Sequence, residues 1–153
     1  MLYLLEATYT DKESQALYDT YTDEIALTAA IETKLGQSMK AEAYKAELLI
    51  GFDSTGRIIK SAYHTKDENI SLSLRLVWIT TDNEGEHANM QKYDTSLEAE
   101  ANYHLKRGSA MENVNVKSIL TMIVSGNAVG LNEFWARPVE PVEPQEEVEE
   151  QGE

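Results

Sequence analysis

The sequence predicts an α+β fold in which two tandem β-α-β-β units, related by a pseudo-twofold axis, form one mostly antiparallel sheet with both helices on one face. An internal repeat is the first reason: a shift of 72 residues superimposes residues 2–48 on residues 74–120 with eleven identities and no gap. Size is the second, because a core of about 70 residues is marginal alone. Two copies that share one core, with the helices covering one face of the sheet, solve that problem.

The first copy contains strand, helix and hairpin signals in that order. Asp23 is a predicted helix cap, since its short carboxylate can accept hydrogen bonds from the free N–H groups of the first turn. Gly56 ends the predicted turn over residues 53–56 and supplies the positive φ that such turns need. The predicted elements are a strand over 2–10, a loop or short helix over 11–20, a helix from 23 to about 40, and hairpin strands over 45–53 and 57–64.

The second copy repeats this order. Thr95 and Glu98 fit a capping box, in which each side chain satisfies a backbone donor of the other residue. Gly85 lies in a polar segment that we interpret as a connection, and residues 125–128 form a predicted hairpin turn. The predicted elements are a strand over 72–80, a connection over 82–92, a helix from 95 to about 112, and hairpin strands over 117–124 and 129–135.

The net charge of −14 is divided evenly between the C-terminal segment and the rest of the chain. Residues 138–153 contain seven Glu and no Lys or Arg, which leaves −7 for residues 1–137. The three prolines of that segment exclude helix or ladder pairing. The sequence therefore predicts one compact domain over 1–137, made of repeats over about 1–66 and 71–137, and a disordered acidic tail over 138–153.

Composition excludes several classes of function. Without cysteine there is no disulfide framework and no thiolate ligand or nucleophile. An acidic chain is not suited to direct binding of nucleic acid phosphates. No apolar run is long enough to span a membrane, and the N-terminus lacks the features of a signal peptide. We therefore predict a cytoplasmic protein with no nucleic acid or membrane partner.

The two predicted helices share residues at i, i+4, i+11 and i+14, which lie on one helical face. The pairs are Ile25/Leu97, Ala29/Ala101, Gly36/Gly108 and Met39/Met111. Glycine inside a helix costs about 1 kcal/mol relative to alanine, so its presence in both copies predicts close packing at Gly36 and Gly108. Either each helix crosses the sheet there, or the two helices cross each other.

Glu32 and His104 occupy position i+7 of the same stripe, one in each copy. If the helices cross, the two side chains lie one turn from the crossing and could face each other. A His beside a carboxylate is a common arrangement for proton transfer. The interpretation that we favour is two helix residues that are partly solvated or paired for structure. Glu32, Gly36, His104 and Gly108 are thus the candidate helix-crossing or interface residues.

Other chemical motifs do not occur in the sequence. It has no glycine-rich phosphate loop between a strand and a helix, and its three histidines lie in different segments without metal-ligand spacing. We therefore predict no catalytic residue, no cofactor and no metal, and a chain that is not an enzyme. Trp78 and Trp135 are interpreted as core or edge aromatics, with anchoring of a partner protein as the alternative, because tryptophan is enriched at interfaces.

Residues 102–112, Asn-Tyr-His-Leu-Lys-Arg-Gly-Ser-Ala-Met-Glu, followed by residues 116–120, Val-Lys-Ser-Ile-Leu, form a helix-then-strand module. This module resembles one in small phage- and prophage-encoded proteins of gut Firmicutes, whose genes often lie near tail or lysis genes. Residues 34–40 and 45–49 match it in the first copy, without the Tyr-His pair. The resemblance implies a phage context and carries no activity over.

We expect a non-enzymatic interaction or assembly protein, encoded by a phage, that binds an unidentified protein through its sheet edges or aromatic residues. Two alternatives stay open: an acidic mimic of DNA that inhibits a host DNA-binding or defence protein, and an enzyme with an unrecognised site near Glu32 and His104. Association with the virion also stays open. A monomer is favoured over a homodimer, because the duplicated unit already contains the symmetry that a homodimer would supply.

Overall fold

The computed structural model describes residues 1–139, in which each copy of the repeat forms two strands, a helix and two more strands. The first copy consists of β1 (Leu2–Tyr9), β2 (Glu13–Tyr21), α1 (Glu24–Lys40), β3 (Ala46–Asp53) and β4 (Ile58–Thr65). The second consists of β5 (Leu74–Asp82), β6 (Gly85–Tyr93), α2 (Ser96–Glu112), β7 (Ser118–Ser125) and β8 (Ala128–Ala136). The predicted α+β class is confirmed, and the element order is that of a duplicated unit.

The eight strands form two four-stranded antiparallel sheets, one from each copy. Their orders are β2-β1-β3-β4 and β6-β5-β7-β8. The predicted single sheet with both helices on one face is therefore wrong. The physical reason lies in the central strands: β3 has seven consecutive buried residues, and a strand that is apolar on both faces needs cover on both sides of its sheet.

The largest cluster of buried side chains lies between the two sheets. It combines Tyr3 and Leu5 of β1 with Val77 and Ile79 of β5 and with residues of β3 and β7. Since side chains alternate along a strand, the intervening residues of each sheet face away from this cluster. They provide the surface on which a helix packs.

Each helix covers the outer face of its own sheet. Leu4 and Leu49 of the first sheet pack with residues of α1, and Leu76 and Ile123 of the second pack with residues of α2. The layers therefore run α1, first sheet, second sheet, α2. The two helices lie on opposite sides of the molecule.

The sequence does not predict the edge strands β2 and β6: its pattern favours a loop or short helix over residues 11–20 and a connection over residues 82–92. Their sequences are mostly polar, and within the described chain each sends one side chain, Leu17 or Met90, to the cluster between the sheets. The alternation that identifies a strand is therefore weak. Both strands exist because they pair along their length with the apolar strands β1 and β5.

The predicted N-caps Asp23 and Thr95 and the glycine of the first hairpin turn are confirmed, whereas the Glu98 half of the capping box differs: its carboxylate accepts from the hydroxyl of Thr95 at 3.3 Å. Asp23 Oδ1 accepts a hydrogen bond from the N–H of Ala26 at 2.7 Å, and Thr95 Oγ1 accepts one from the N–H of Glu98 at 3.2 Å. Gly56 has a φ of 89°. A Cβ at Gly56 would lie 2.3 Å from Oδ1 of Asn132, so glycine also allows this turn to approach the second copy.

Polar contacts join the two copies in both directions. Tyr3 of β1 donates a hydrogen bond to Glu86 of β6 at 2.6 Å. Arg75 of β5, the repeat equivalent of Tyr3, donates to Gln15 of β2 at 2.7 Å and forms an ion pair with Glu13. Arg75 is fully buried, and this burial lowers the pKa of its guanidinium to about 10.

The end of the predicted domain is tied to α2. Arg137 donates hydrogen bonds to the carbonyl oxygens of Val116 and Met111, each at 3.0 Å. Residues 140–153, which hold nearly all of the predicted tail, lie outside the described residues, so the division into a domain and a tail stays a prediction. In residues 1–139, neither helix is long and apolar enough to cross a membrane.

Candidate functional site

Each helix buries one face against its own sheet. The buried residues are Leu27, Ile31 and Ser38 in α1 and their repeat equivalents Ala99, Tyr103 and Ala110 in α2. Gly51 of β3 makes room for α1, because a Cβ at that position would lie 2.8 Å from Cδ2 of Leu27. The helices are thus held to their sheets by residues that do not belong to the stripe shared between the copies.

The shared stripe lies on the outer face of each helix, so the predicted close packing at its glycines is wrong. Ile25 and Leu97 are 82% and 80% exposed. A Cβ added at Gly36 or Gly108 would meet no heavy atom within 4 Å among the described residues. The buried residues of each helix and the residues of the stripe both follow the spacing i, i+4, i+11. Helical periodicity alone therefore does not show which of the two faces the sheet.

The alternative prediction, that the two helices cross each other, is also wrong. Within residues 1–139, α1 contacts the strands of the first sheet and α2 those of the second, and the helices do not contact each other. Both sheets therefore separate Glu32 from His104. Glu32 instead forms an ion pair with Lys60 of β4 at 2.9 Å, and the His104 ring lies edge-on to Tyr103, with 5.3 Å between centroids. No site within one molecule contains both residues.

The outer stripe of each helix has the spacing of a coiled-coil seam. With Glu32 and His104 included, its positions are i, i+4, i+7, i+11 and i+14, which are alternating d and a positions of a heptad. A shallow groove of about 440 Å³ on α1 is lined by Glu24, Ile25, Thr28, Ala29 and Glu32. We call Ile25, Ala29, Glu32, Gly36 and Met39 the α1 stripe, and Leu97, Ala101, His104, Gly108 and Met111 the α2 stripe.

The two tryptophans lie on the outer face of the second sheet, beside α2. Trp78 stands opposite Thr121 of β7, whose partner on β8 is two residues from Trp135. Lys106 Nζ lies 4.6 Å from the centre of the Trp78 ring, and the guanidinium carbon of Arg137 lies 5.0 Å from that of Trp135. Both rings are half-buried. Their role as anchors for a partner stays a prediction.

A polar cleft beside α1 was not predicted from the sequence. It has a volume of about 230 Å³ and is lined by residues of β1 and β2, by Thr10 between them and by Tyr44. Glu6, one of its lining residues, accepts a hydrogen bond from the hydroxyl of Tyr18 at 3.0 Å and forms an ion pair with Lys34 of α1 at 3.4 Å. The carboxylate of Glu6 on the cleft wall thus contacts the phenol of Tyr18 and the ammonium group of Lys34.

Glu47 of β3 lies behind this cleft and is 1% exposed. Its Oε1 accepts a hydrogen bond from Thr8 at 2.8 Å, whereas Oε2 has no hydrogen-bond partner in the part of the chain that the structure describes. Burial raises the pKa of Glu47 to about 7; the neighbouring Glu6 carboxyl also raises it, and the hydroxyls of Thr8 and Ser38 lower it. Glu47 can therefore gain or lose a proton near neutral pH.

A charged residue inside an apolar strand was the sequence signal for Glu47. It is the single charge in Ala-Glu-Leu-Leu-Ile-Gly-Phe, residues 46–52. The contact of Glu47 with Glu6, and the cleft beside them, arise from the pairing of β1 with β3. The sequence alone does not predict that pairing. In residues 1–139, no three His, Asp or Glu side chains are grouped as a metal site requires.

The second copy has a cleft at the equivalent place with different chemistry. Its volume is about 190 Å³, and Trp78 and Lys106 line it. These residues are the repeat equivalents of Glu6 and Lys34, and Ile119 is the equivalent of Glu47. The fold therefore does not require carboxyl groups at positions 6 and 47, because the second copy packs with apolar residues there.

Comparison with known proteins adds no family. No protein-family model matches the chain, no curated protein matches its sequence, and no solved structure matches its fold. The functional argument therefore rests on the residues of this chain.

Proposed function

We propose that the chain is a non-enzymatic assembly protein that binds other proteins through the α1 and α2 stripes. The observation that carries this proposal is the exposure of Ile25 and Leu97 at the same register of two equivalent helices. Single apolar residues on a surface need no explanation, but a matched pair at the start of two heptad stripes does. Full burial of each side chain is favourable by about 1.5–3 kcal/mol, so a partner that covers them would gain this free energy on binding.

The repeat itself supports an external partner. Position 29 is Ala, position 36 Gly and position 39 Met in the first copy, and each is identical in the second. The buried helix residues, by contrast, all differ between the copies: for example, Leu27 corresponds to Ala99. Packing inside the molecule therefore does not account for the identity of the outer residues. A common external surface does.

An approximate twofold relation between the copies belongs to this proposal. It is supported by two reciprocal contacts: Tyr3 binds Glu86, and Arg75 binds Glu13 and Gln15. Arg75 is the repeat equivalent of Tyr3, and Glu13 and Gln15 flank position 14, which is the repeat equivalent of position 86. Such a relation makes the two stripes equivalent sites on opposite sides. One molecule then bridges two partners.

The cellular context of the proposal comes from the helix-then-strand resemblance. The resemblance supports a phage product that acts in the cytoplasm of the host cell, with the virion as the second destination. Trp78 and Trp135 flank α2 and are the secondary candidates for partner anchoring. The Glu6–Glu47 pair is not part of the proposed binding surface.

Capture of partners from native or infected cells tests the proposal. The tagged full chain is compared with Gly36→Lys and Gly108→Lys, which place a charge in the α1 or α2 stripe without an internal clash. Gln37→Lys and Ser109→Lys are matched controls, because they add the same charge at exposed positions of the same helices outside the stripes. We expect the stripe variants to lose captured proteins and the controls to retain them.

Three results would count against this proposal. If both stripe variants still capture the same proteins as the native chain, the outer faces of the helices are not the interface. Capture of a host nuclease or DNA-binding protein that DNA displaces favours the acidic DNA mimic. Partners lost from a chain that ends at Arg137, with the stripes intact, assign binding to the acidic tail instead.

A further inference from the structure

We propose that the partner is a second copy of this chain, with the α1 stripe of one molecule packed on the α2 stripe of the next. This inference rests on the proposed function, since it takes the stripes as the binding surface and names their occupant. Its arguments are the spacing of the stripes, the sizes of their residues and their charges.

Spacing identifies the partner as another helix with the same repeat. A stripe of a and d positions is the narrow seam by which one helix packs against another in a coiled coil. Each stripe spans two heptads, and α1 and α2 each have 17 residues. The chain therefore carries two seams of equal length, one on each side.

Residue size makes the two seams fit each other. Large residues occupy the ends of the stripes, at Ile25 and Met39 in α1 and at Leu97 and Met111 in α2, and small residues occupy the a positions between them. Alanine and glycine let two helix backbones approach closely. In an antiparallel pair the a positions of one helix face the d positions of the other, so each layer sets a large residue against a small one and the layers interdigitate without voids.

Charge favours α1 on α2 over pairing of identical helices. Two α1 stripes would bring both Glu32 carboxylates, each paired with Lys60 of its own molecule, into one seam, and two α2 stripes would bring the exposed Glu98 and Glu112 of both molecules together. Pairing of α1 with α2 instead places Glu32 in one seam with His104. In the antiparallel pair Lys40 at the end of α1 then meets Glu98 in the first turn of α2.

Such a contact propagates. It joins unlike surfaces on opposite sides of the molecule, so each added copy presents a free stripe, which generates an open chain or a ring. A 17-residue helix is about 26 Å long, and one helix pair buries less than the roughly 1,200 Å² of a stable complex. The protein is therefore a monomer when dilute, as the sequence suggested, and associates as its concentration rises.

Sedimentation velocity of the full-length protein between about 5 and 500 μM tests this inference. The native chain should form species larger than a dimer at the upper end. Gly36→Lys and Gly108→Lys, each alone, should stay monomeric, because each keeps one usable stripe and lacks the other. An equimolar mixture of the two variants should form a 1:1 dimer and nothing larger, since the α2 stripe of one meets the α1 stripe of the other. Gln37→Lys and Ser109→Lys should associate like the native chain.

Two outcomes overturn the inference. A native chain that stays monomeric at 500 μM rules out self-assembly. The proposed function would still hold in that case if Gly36→Lys and Gly108→Lys capture fewer proteins than the native chain. A single-stripe variant that still dimerises shows that identical helices pair. Thermal unfolding of both variants at or above the native temperature excludes misfolding as a cause of lost association.

Discussion

Glu47 is the residue whose replacement should change stability most strongly with pH. Burial raises the pKa of its carboxyl from 4.5 to about 7 in the folded protein. The folded state therefore holds this proton more tightly than the unfolded state, and the resulting stabilisation is complete below about pH 4.5 and lost as the pH rises through 7. At about 1.4 kcal/mol per pH unit, the loss is about 3 kcal/mol.

The variant Glu47→Gln should remove that pH dependence. An amide resembles the protonated carboxyl and can donate a hydrogen bond towards Glu6, whose negative charge is retained by Lys34. We expect urea unfolding to give similar free energies for variant and native protein near pH 4.5, and a variant that is more stable by about 2–3 kcal/mol at pH 8. Glu42→Gln removes the same charge from an exposed position and should leave the difference between the two pH values unchanged. If Glu47→Gln and the native protein lose the same free energy of unfolding between pH 4.5 and pH 8, the reasoning is refuted.

Three further predictions concern packing and helix stability, each measured by urea or thermal unfolding. Gly51→Ala should lower the unfolding free energy by about 1–3 kcal/mol, because its Cβ would overlap Leu27. When it is combined with Leu27→Ala, the double variant should lose less stability than the sum of the two single losses. Additive losses would contradict the predicted clash. Arg75→Met should cost about 3 kcal/mol or more, since it leaves the carboxylate partner on β2 with its charge unpaired; a neutral effect would show that the pair is dispensable. Gly36→Lys and Gly108→Lys should each raise stability by about 0.7 kcal/mol, and a loss would indicate a contact at the outer helix face within the molecule.

The helices and hairpins were predictable because their signals are local. Asp23, Thr95 and Gly56 act on backbone groups within a few residues, and the structure has each in its predicted role. Strand β2 is different: its polar sequence becomes a strand because β1 offers it a full row of partners. Pairing between distant segments supplies the free energy there, and no local pattern records it.

The division into two sheets had a sequence signal that the alternation of residues 45–53 obscured. Leu48 and Leu49 are adjacent, so they point to opposite faces of β3, and both are fully buried. Leu48 belongs to the cluster between the sheets, and Leu49 packs beneath α1. A strand that is apolar on both faces predicts two covering layers, which a two-layer fold does not provide.

The repeat equivalents show which positions the fold controls and which it does not. Under α1, Gly51 accommodates Leu27; under α2, Ile123 stands over Ala99. The large and small residues have exchanged places, so the two buried positions are coupled through the volume that they share. No such exchange occurs along the outer stripes, where Gly36 and Gly108 are identical although a Cβ at either would meet no heavy atom within 4 Å among residues 1–139. Because glycine at these sites lowers helix stability, we propose close approach of another helix as the reason for its presence in both copies.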